Sequence, residues 1–183
     1  MKACGHPDQT EPEATDLNRV VGNAVTFARN KLKYVADVDT EFGDLPSVMC
    51  YQGAVGQVVL SLLVNSAHAV GKSREATGQR GLITIKTWVD GNQACVSVTD
   101  TGTGIPPDVL PHIFEPFFTT KPLGQGTGQG LAMAWVTIVE RHRGHIEVAT
   151  SETGTTFVLG LPIAERRDER EPFTSVAAGT ADG

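Results

Sequence analysis

The chain has 183 residues, of which 40% are hydrophobic and 20% are charged, and its formal net charge is -6. This composition is typical of one soluble globular domain. The excess of acidic residues disfavours a nucleic-acid partner, because proteins that bind nucleic acids usually have an excess of basic residues. The longest apolar runs are shorter than the roughly 18–20 residues of a membrane span, so we expect no membrane contact by this chain.

Polar segments are expected at both ends of the chain. Residues 1–15 combine prolines with acidic side chains, and residues 165–183 begin with a charge run and end in small residues. Segments of this composition bury too little apolar surface to fold alone. We therefore expect a flexible N-terminal lead-in over 1–15, a folded unit over 16–164 and a disordered C-terminal tail over 165–183.

The folded unit is predicted to begin with a helix and two short strands. Asp16 is a suitable N-cap, and apolar residues follow it at helical spacing. A strand-like run covers 34–42, a Gly-Asp-Leu-Pro turn covers 43–46, and a second short strand covers 48–51. These elements lead into the first segment that carries candidate functional residues.

A second helix is predicted over 54–72, and it has a polar stripe beside its apolar face. The stripe consists of Gln57, Ser61, Asn65, His68 and Lys72. Steps of three and four residues align side chains on one side of a helix. Most polar stripes are solvated faces, but Asn and His are poor helix formers and here lie in the middle of the helix.

The rest of the chain is predicted to complete a sheet. A hairpin covers 82–89 and 94–100, a third helix covers 129–141, and strands cover 145–150 and 155–161. Asp100 continues an apolar strand face, which is costly unless the carboxylate has hydrogen-bond partners. The element order predicts an α/β (α+β) two-layer sandwich, with a mixed, mostly antiparallel sheet packed on three helices.

Three loop motifs follow the hairpin. Residues 100–104 place an Asp beside two glycines, where a backbone can approach a ligand and the carboxylate can accept a bond from an amino group such as that of adenine. Residues 114–121 hold three of the seven phenylalanines and end in a lysine. Residues 124–130 alternate glycines and open into a helix, whose N–H groups can bind phosphate. Each motif alone also fits an ordinary turn, a hydrophobic plug or a flexible loop.

Taken in order, these motifs resemble the four nucleotide-binding boxes of the GHKL ATP-binding superfamily, which has the Bergerat fold. The closest resemblance is to the catalytic, ATP-binding domain of sensor histidine kinases, and it covers about residues 17–163. The strings that carry it are QVVLSLLVNSAHAV (57–70), DTGTGIP (100–106), IFEPFFTTK (113–121) and GQGTGQGLAMAW (124–135). The phenylalanine box separates kinases from the gyrase, mismatch-repair and chaperone branches.

The resemblance implies ATP and Mg²⁺ as cofactors and gives each motif a role. Asn65 would hold Mg²⁺, His68 would face phosphate, and Lys121 would act with the glycine loop over the triphosphate; these three are the candidate catalytic residues. Asp100 would bind adenine. The implied nucleotide pocket comprises Asp100, Gly102, Gly104, Ile105, Phe114, Gly126, Thr127, Gly128, Gly130, Leu131 and Thr155.

The resemblance also implies a reaction in which the ATP γ-phosphate passes to a histidine on a separate dimerisation domain, with a response regulator downstream. None of the five histidines here has the helical-hairpin context of such an acceptor, so we expect no autophosphorylation by this chain alone. Two positions depart from the family: Ser61 replaces the usual Asn, and Gln129 replaces an apolar residue. The alternative is therefore a stand-alone or degenerate domain that binds nucleotide and regulates a protein partner without kinase turnover.

The cysteines bear on the compartment. Cys4, Cys50 and Cys95 form no Cys-x-x-Cys pair, and the latter two lie in apolar, strand-like runs. Buried free thiols are typical of such positions. We therefore expect a reducing, cytoplasmic setting.

Overall fold

A computed structural model of the chain describes residues 11–121 and 126–163. In chain order its strands and helices are β1 Glu13–Thr15, α1 Leu17–Leu32, β2 Ala36–Phe42, β3 Val48–Cys50, α2 Gln52–Thr77, β4 Gly81–Asp90, β5 Gln93–Asp100, α3 Gly130–Trp135, β6 His145–Ser151 and β7 Gly154–Pro162. A 3-10 turn, Leu110–His112, lies between β5 and α3, and a π-helical segment, Val136–Arg141, continues α3.

The main sheet has five strands in the order β2-β4-β5-β7-β6. Only β2 and β4 run parallel, and the other neighbours are antiparallel. A small antiparallel pair, β1 with β3, lies apart from it. The predicted α/β sandwich with a mixed, mostly antiparallel sheet is therefore confirmed.

The helices bury their apolar faces against one side of this sheet. Asp16 caps α1 by accepting a hydrogen bond from the Arg19 N–H at 3.2 Å. On α2, Leu62 and Leu63 are fully buried, and each contributes about 1.5–3 kcal/mol by its burial. By length and composition alone α2 could cross a membrane, but its buried residues are part of this core.

Several predicted boundaries differ from the structure. Part of the predicted flexible lead-in is structured, because residues 13–15 pair with β3. Residues 1–10 and the predicted tail over 165–183 lie outside the described residues. Helix α2 is longer than predicted at both ends, and it stops where Gly78 takes a left-handed conformation (φ 73°) and donates its N–H to the Arg74 carbonyl, a common C-terminal cap.

The predicted third helix is also corrected, because only its first half is α-helical. From Val136 the turns widen. Nδ1 of His142 lies 2.6 Å from the Thr137 carbonyl oxygen, and the Gly144 N–H donates to the Ile138 carbonyl at 2.9 Å. These contacts hold the wide turn, a form that sequence propensity does not distinguish from an α-helix.

Candidate nucleotide-binding site

Asp100, the last residue of β5, lies on the helix-facing side of the sheet. Its side chain is 4% exposed. Oδ1 accepts a hydrogen bond from the Gly102 N–H at 2.9 Å, and Oδ2 accepts one from the Ser66 hydroxyl at 3.0 Å. Burial raises the pKa of Asp100, while hydrogen bonds from Gly102, Ser66 and the Thr155 backbone act in the opposite direction. The predicted need for specific partners is confirmed.

The loop after Asp100 is pressed between α2 and the β6–β7 hairpin. A Cβ on Gly102 would lie 2.5 Å from the Ala69 Cβ. Gly104 has φ 67°, and a Cβ there would collide with the carbonyl oxygen of Ser151. Only glycine fits both positions. The predicted loop glycines therefore allow the chain to pass close to both neighbours.

Two threonines support the far side of the same loop. Thr155 is buried and pairs with Asp100 across β5 and β7. Its hydroxyl lies 3.0 Å from that of Thr150, which also accepts a hydrogen bond from the Ile105 N–H at 2.9 Å. Thr150 was not predicted as a site residue. Its place opposite Thr155 in the closing hairpin is the signal that could have found it.

The polar stripe on α2 faces the end of residues 114–121, the phenylalanine segment. The Lys121 ammonium donates a hydrogen bond to Oδ1 of Asn65 at 3.0 Å. Burial lowers the pKa of Lys121, and Lys72 and Lys31 lower it further. Burial also lowers the pKa of His68, with added effects from Lys121, Lys31 and Lys72. The structure thus brings the three candidate catalytic residues together and adds two lysines.

Lys31, Lys72 and Lys121 form a positive cluster that can attract a polyphosphate, because neighbouring like charges add to one local potential. Lys121 is partly buried, while Lys31 and Lys72 are exposed. The amide oxygen of Asn65 already faces a cationic group, and amide oxygens suit Mg²⁺. Among residues 11–121 and 126–163, no three His, Cys, Asp or Glu side chains form a metal-binding group. A magnesium ion at Asn65 would therefore take most of its ligands from phosphate oxygens and water.

The phenylalanine segment and the glycine loop contact each other. The Phe117 N–H donates to the Gly128 carbonyl at 3.0 Å. Both residues have φ 65°, and the Phe117 side chain is 72% exposed. Gly126 packs beside Lys121, and Thr127 is exposed. Residues 122–125, which include the first glycine of the predicted loop, lie outside the described residues.

The remaining pocket residues attach the site to the core. Phe114 is half-buried against the core, and its ring centroid lies 5.2 Å from that of Trp135. Ile105 and Leu131 are partly buried against the core. Gly130 begins α3, and a Cβ there would collide with the Ser61 hydroxyl. Ser61 thus borders the junction of α2 and α3.

The sequence matches the family described as "Histidine kinase-, DNA gyrase B-, and HSP90-like ATPase" over residues 51–165. The chain belongs to this ATPase family. It is 36% identical over 165 residues to the sensor histidine kinase ZraS of Escherichia coli (strain K12), covering 86% of this chain and 32% of ZraS. It is also 36% identical to the sensory histidine kinase/phosphatase NtrB of Rhizobium meliloti (strain 1021), covering 74% and 37%.

The solved structures give the same result for the fold. The nucleotide-free catalytic domain of histidine kinase ThkA superposes with a TM-score of 0.71 at 29% identity, covering 84% of this chain and 96% of that one. Together these similarities make the chain an ATP-binding catalytic domain of the histidine kinase type. It spans about a third of the length of ZraS and of NtrB.

Ser61 and Gln129 are the two positions at which the chain departs from the residues usual in histidine kinase domains. Ser61 borders Gly130, and Gln129 is the exposed residue that precedes α3. Neither replacement disturbs the hydrogen bonds of Asp100 or Asn65. The two ends of the candidate site, at Asp100 and at Asn65, are both assembled around α2.

Proposed function

We propose that this domain binds Mg·ATP and transfers its γ-phosphate to a histidine on a separate dimerisation domain. The observation that carries the proposal is the arrangement along α2. Ser66 contacts the buried Asp100, while the neighbouring Asn65 contacts Lys121 within the positive cluster. One helix therefore serves both an amino-group acceptor and a phosphate-binding region.

The pocket residues would have separate roles in binding adenine, phosphate and Mg²⁺. Asp100 accepts a hydrogen bond from the adenine amino group, and Gly102 and Gly104 let the loop approach the ring. Lys121 and His68 face the triphosphate. Magnesium, when bound, supplies charge neutralisation on the phosphates, with Asn65 as its protein ligand. Positioning and charge neutralisation account for most catalysis in phosphoryl transfer.

The transfer itself needs no strong base from this domain. The acceptor imidazole nitrogen attacks the γ-phosphorus, the bond to the β–γ bridging oxygen breaks, and ADP leaves with those electrons. The imidazole then loses the proton on its other nitrogen to solvent. Ser61 cannot activate water unaided, so ATP hydrolysis by the route of the ATPase branches is not expected. A response regulator downstream and a cytoplasmic location complete the proposal.

The second candidate is a nucleotide-binding domain that regulates a partner without turnover, and the replacements at Ser61 and Gln129 favour it. The experiment that separates the two mixes this chain with γ-labelled Mg·ATP and a purified histidine-bearing hairpin domain of a sensor kinase. Acid-labile label on the hairpin, absent when its histidine is replaced by glutamine, supports kinase activity. Nucleotide binding without labelled hairpin, tested with several hairpins, supports the second candidate.

A further inference from the structure

The Ser66 hydroxyl is a polar group in the core that the proposed mechanism has not used. Its residue is 2% exposed, and it lies one position after Asn65, off the predicted polar stripe. The hydroxyl donates its single proton to Oδ2 of Asp100 at 3.0 Å. A buried hydroxyl needs a partner, and here that partner is the carboxylate at the centre of the purine end.

The two oxygens of Asp100 are held by different elements. Oδ1 is fixed by the Gly102 N–H from its own loop, at 2.9 Å. Oδ2 is bonded by Ser66 from α2, across the boundary between sheet and helix. The Thr155 backbone adds a third hydrogen bond to the carboxyl group. Since an ionised carboxylate offers about four acceptor positions, one remains for a ligand. The hydroxyl from α2 thus selects the rotation of the carboxyl group.

We propose that Ser66 is a positioning and specificity residue, which orients the Asp100 carboxylate so that the site prefers purines with a 6-amino group. This inference rests on the proposed function, because it concerns how the same pocket recognises ATP. With alanine at this position, Oδ2 would lose its buried donor. The carboxyl group would then rotate or take up a proton, and a protonated oxygen is a donor facing the amino donor of adenine.

The hydrogen bond from Ser66 also favours the charged form of the carboxyl group, since it lowers the pKa of Asp100 against the larger effect of burial. Removing it should therefore raise the pKa of Asp100. This provides a readout that does not depend on nucleotide. A purely structural role in helix packing would leave the titration of Asp100 unchanged.

The test compares the intact chain with Ser66→Ala, using two nucleotides. Mg·ATP and purine riboside triphosphate, which lacks the 6-amino group, are titrated calorimetrically. We expect Ser66→Ala to weaken ATP binding roughly tenfold and to weaken the analogue by less than about twofold, because only ATP uses the oriented acceptor. Ser73→Ala, on the same helix but beyond the pocket, should leave both affinities unchanged.

Carbon-detected NMR of the Asp100 carboxyl group gives the second measurement, and circular dichroism checks that the variant is folded. An Asp100 titration that moves to higher pH in Ser66→Ala supports the inference. An equal loss of affinity for both nucleotides, or an Asp100 titration at the wild-type pH, overturns the inference about Ser66. Neither result contradicts the proposal that the wild-type domain binds ATP. If the wild-type chain bound neither nucleotide, the proposed function would fail together with this inference.

Discussion

Replacement of Asp100 by Asn separates recognition from stability, because the two amide atoms of Asn have opposite hydrogen-bonding roles. The Asn oxygen can keep the bond from the Gly102 N–H. The amide nitrogen would then face Ser66, whose hydroxyl can rotate and accept. The internal contacts of the carboxyl group at 2.9 and 3.0 Å therefore survive in altered form. What is lost is the free acceptor for the adenine amino group.

The magnitude follows from the type of bond that is removed. A hydrogen bond to a charged group contributes about 1.5–3 kcal/mol, so ATP should bind roughly 10- to 150-fold more weakly. Stability should respond differently. Because burial raises the pKa of Asp100, the ionised group costs stability above its folded pKa. The neutral amide of the variant carries no such cost, so we expect the Tm of Asp100→Asn at about pH 8 to be no lower than that of the wild type.

The assay is calorimetric titration with Mg·ATP, together with thermal unfolding of the same samples. Asp39→Asn is the matched control, since Asp39 is exposed on β2. The control should leave the affinity unchanged. An Asp100→Asn chain that bound ATP within about twofold of wild type would refute the assignment of Asp100 to the adenine amino group. A lowered affinity accompanied by global unfolding would refute the separation of recognition from stability.

Three further predictions concern the metal, the purine loop and pH. Asn65→Ala should abolish the gain in ATP affinity on adding Mg²⁺, because it removes the protein's oxygen ligand; calorimetry with and without Mg²⁺ measures this. Gly104→Ala should cost about 1–3 kcal/mol of unfolding free energy in urea, because φ 67° and the Ser151 carbonyl oppose a side chain. Burial lowers the pKa of His142 below 6.5, so the fold favours the neutral ring. The contribution of this ring to the free energy of unfolding is fully present above about pH 6.5 and is lost as the pH falls through the folded pKa. The loss of stability at low pH should therefore be smaller in His142→Gln.

The Gly104 prediction has a matched control variant, and each of the other two has a result that would contradict it. Gly53 is in the first turn of α2, where a Cβ meets nothing within 4 Å, so Gly53→Ala should raise stability by up to about 1 kcal/mol. The same sign in both alanine variants would contradict the steric argument at Gly104. A Mg²⁺ effect that survived Asn65→Ala would place the metal elsewhere. An unchanged urea stability profile from about pH 5 to 8 in His142→Gln would exclude this histidine as its source.

The candidate residues that can be selected from the sequence are those that break a local pattern. Asp100 interrupted the apolar face of a strand, and Asn65 and His68 interrupted a helix with residues that helices disfavour. Such breaks need a compensating partner, and the structure supplies one for Asp100 in Ser66 and Gly102. The glycine motifs were predictable for a similar reason, since they permit close approaches that other residues cannot make.

Residues that obey the local pattern could not be found in this way. Lys31 is an ordinary basic residue near the end of α1, and only the packing of α1 on α2 brings its charge to bear on His68. Thr150 is a usual strand residue whose role appears only through the pairing with Thr155. The π-helical turns after Trp135 accompany two contacts of His142 that helix propensity does not encode: one with the nearby Thr137 carbonyl and one with the distant Tyr51 N–H, which donates to Nε2 at 3.0 Å. These features can be recognised only from contacts in the folded structure.

The Lys121 ammonium contacts the residue that is proposed to bind Mg²⁺. Its ammonium bonds the Asn65 amide oxygen, so a lysine and a magnesium ion would use the same protein atom. If a triphosphate draws the lysine towards its oxygens, the amide oxygen of Asn65 becomes available to a metal ion. Burial and the like charges of Lys72 and Lys31 lower the pKa of Lys121. The ammonium is therefore expected to bind a negatively charged phosphate more strongly than the neutral amide of Asn65. Nucleotide binding and metal binding are therefore expected to strengthen each other rather than to occur as independent events.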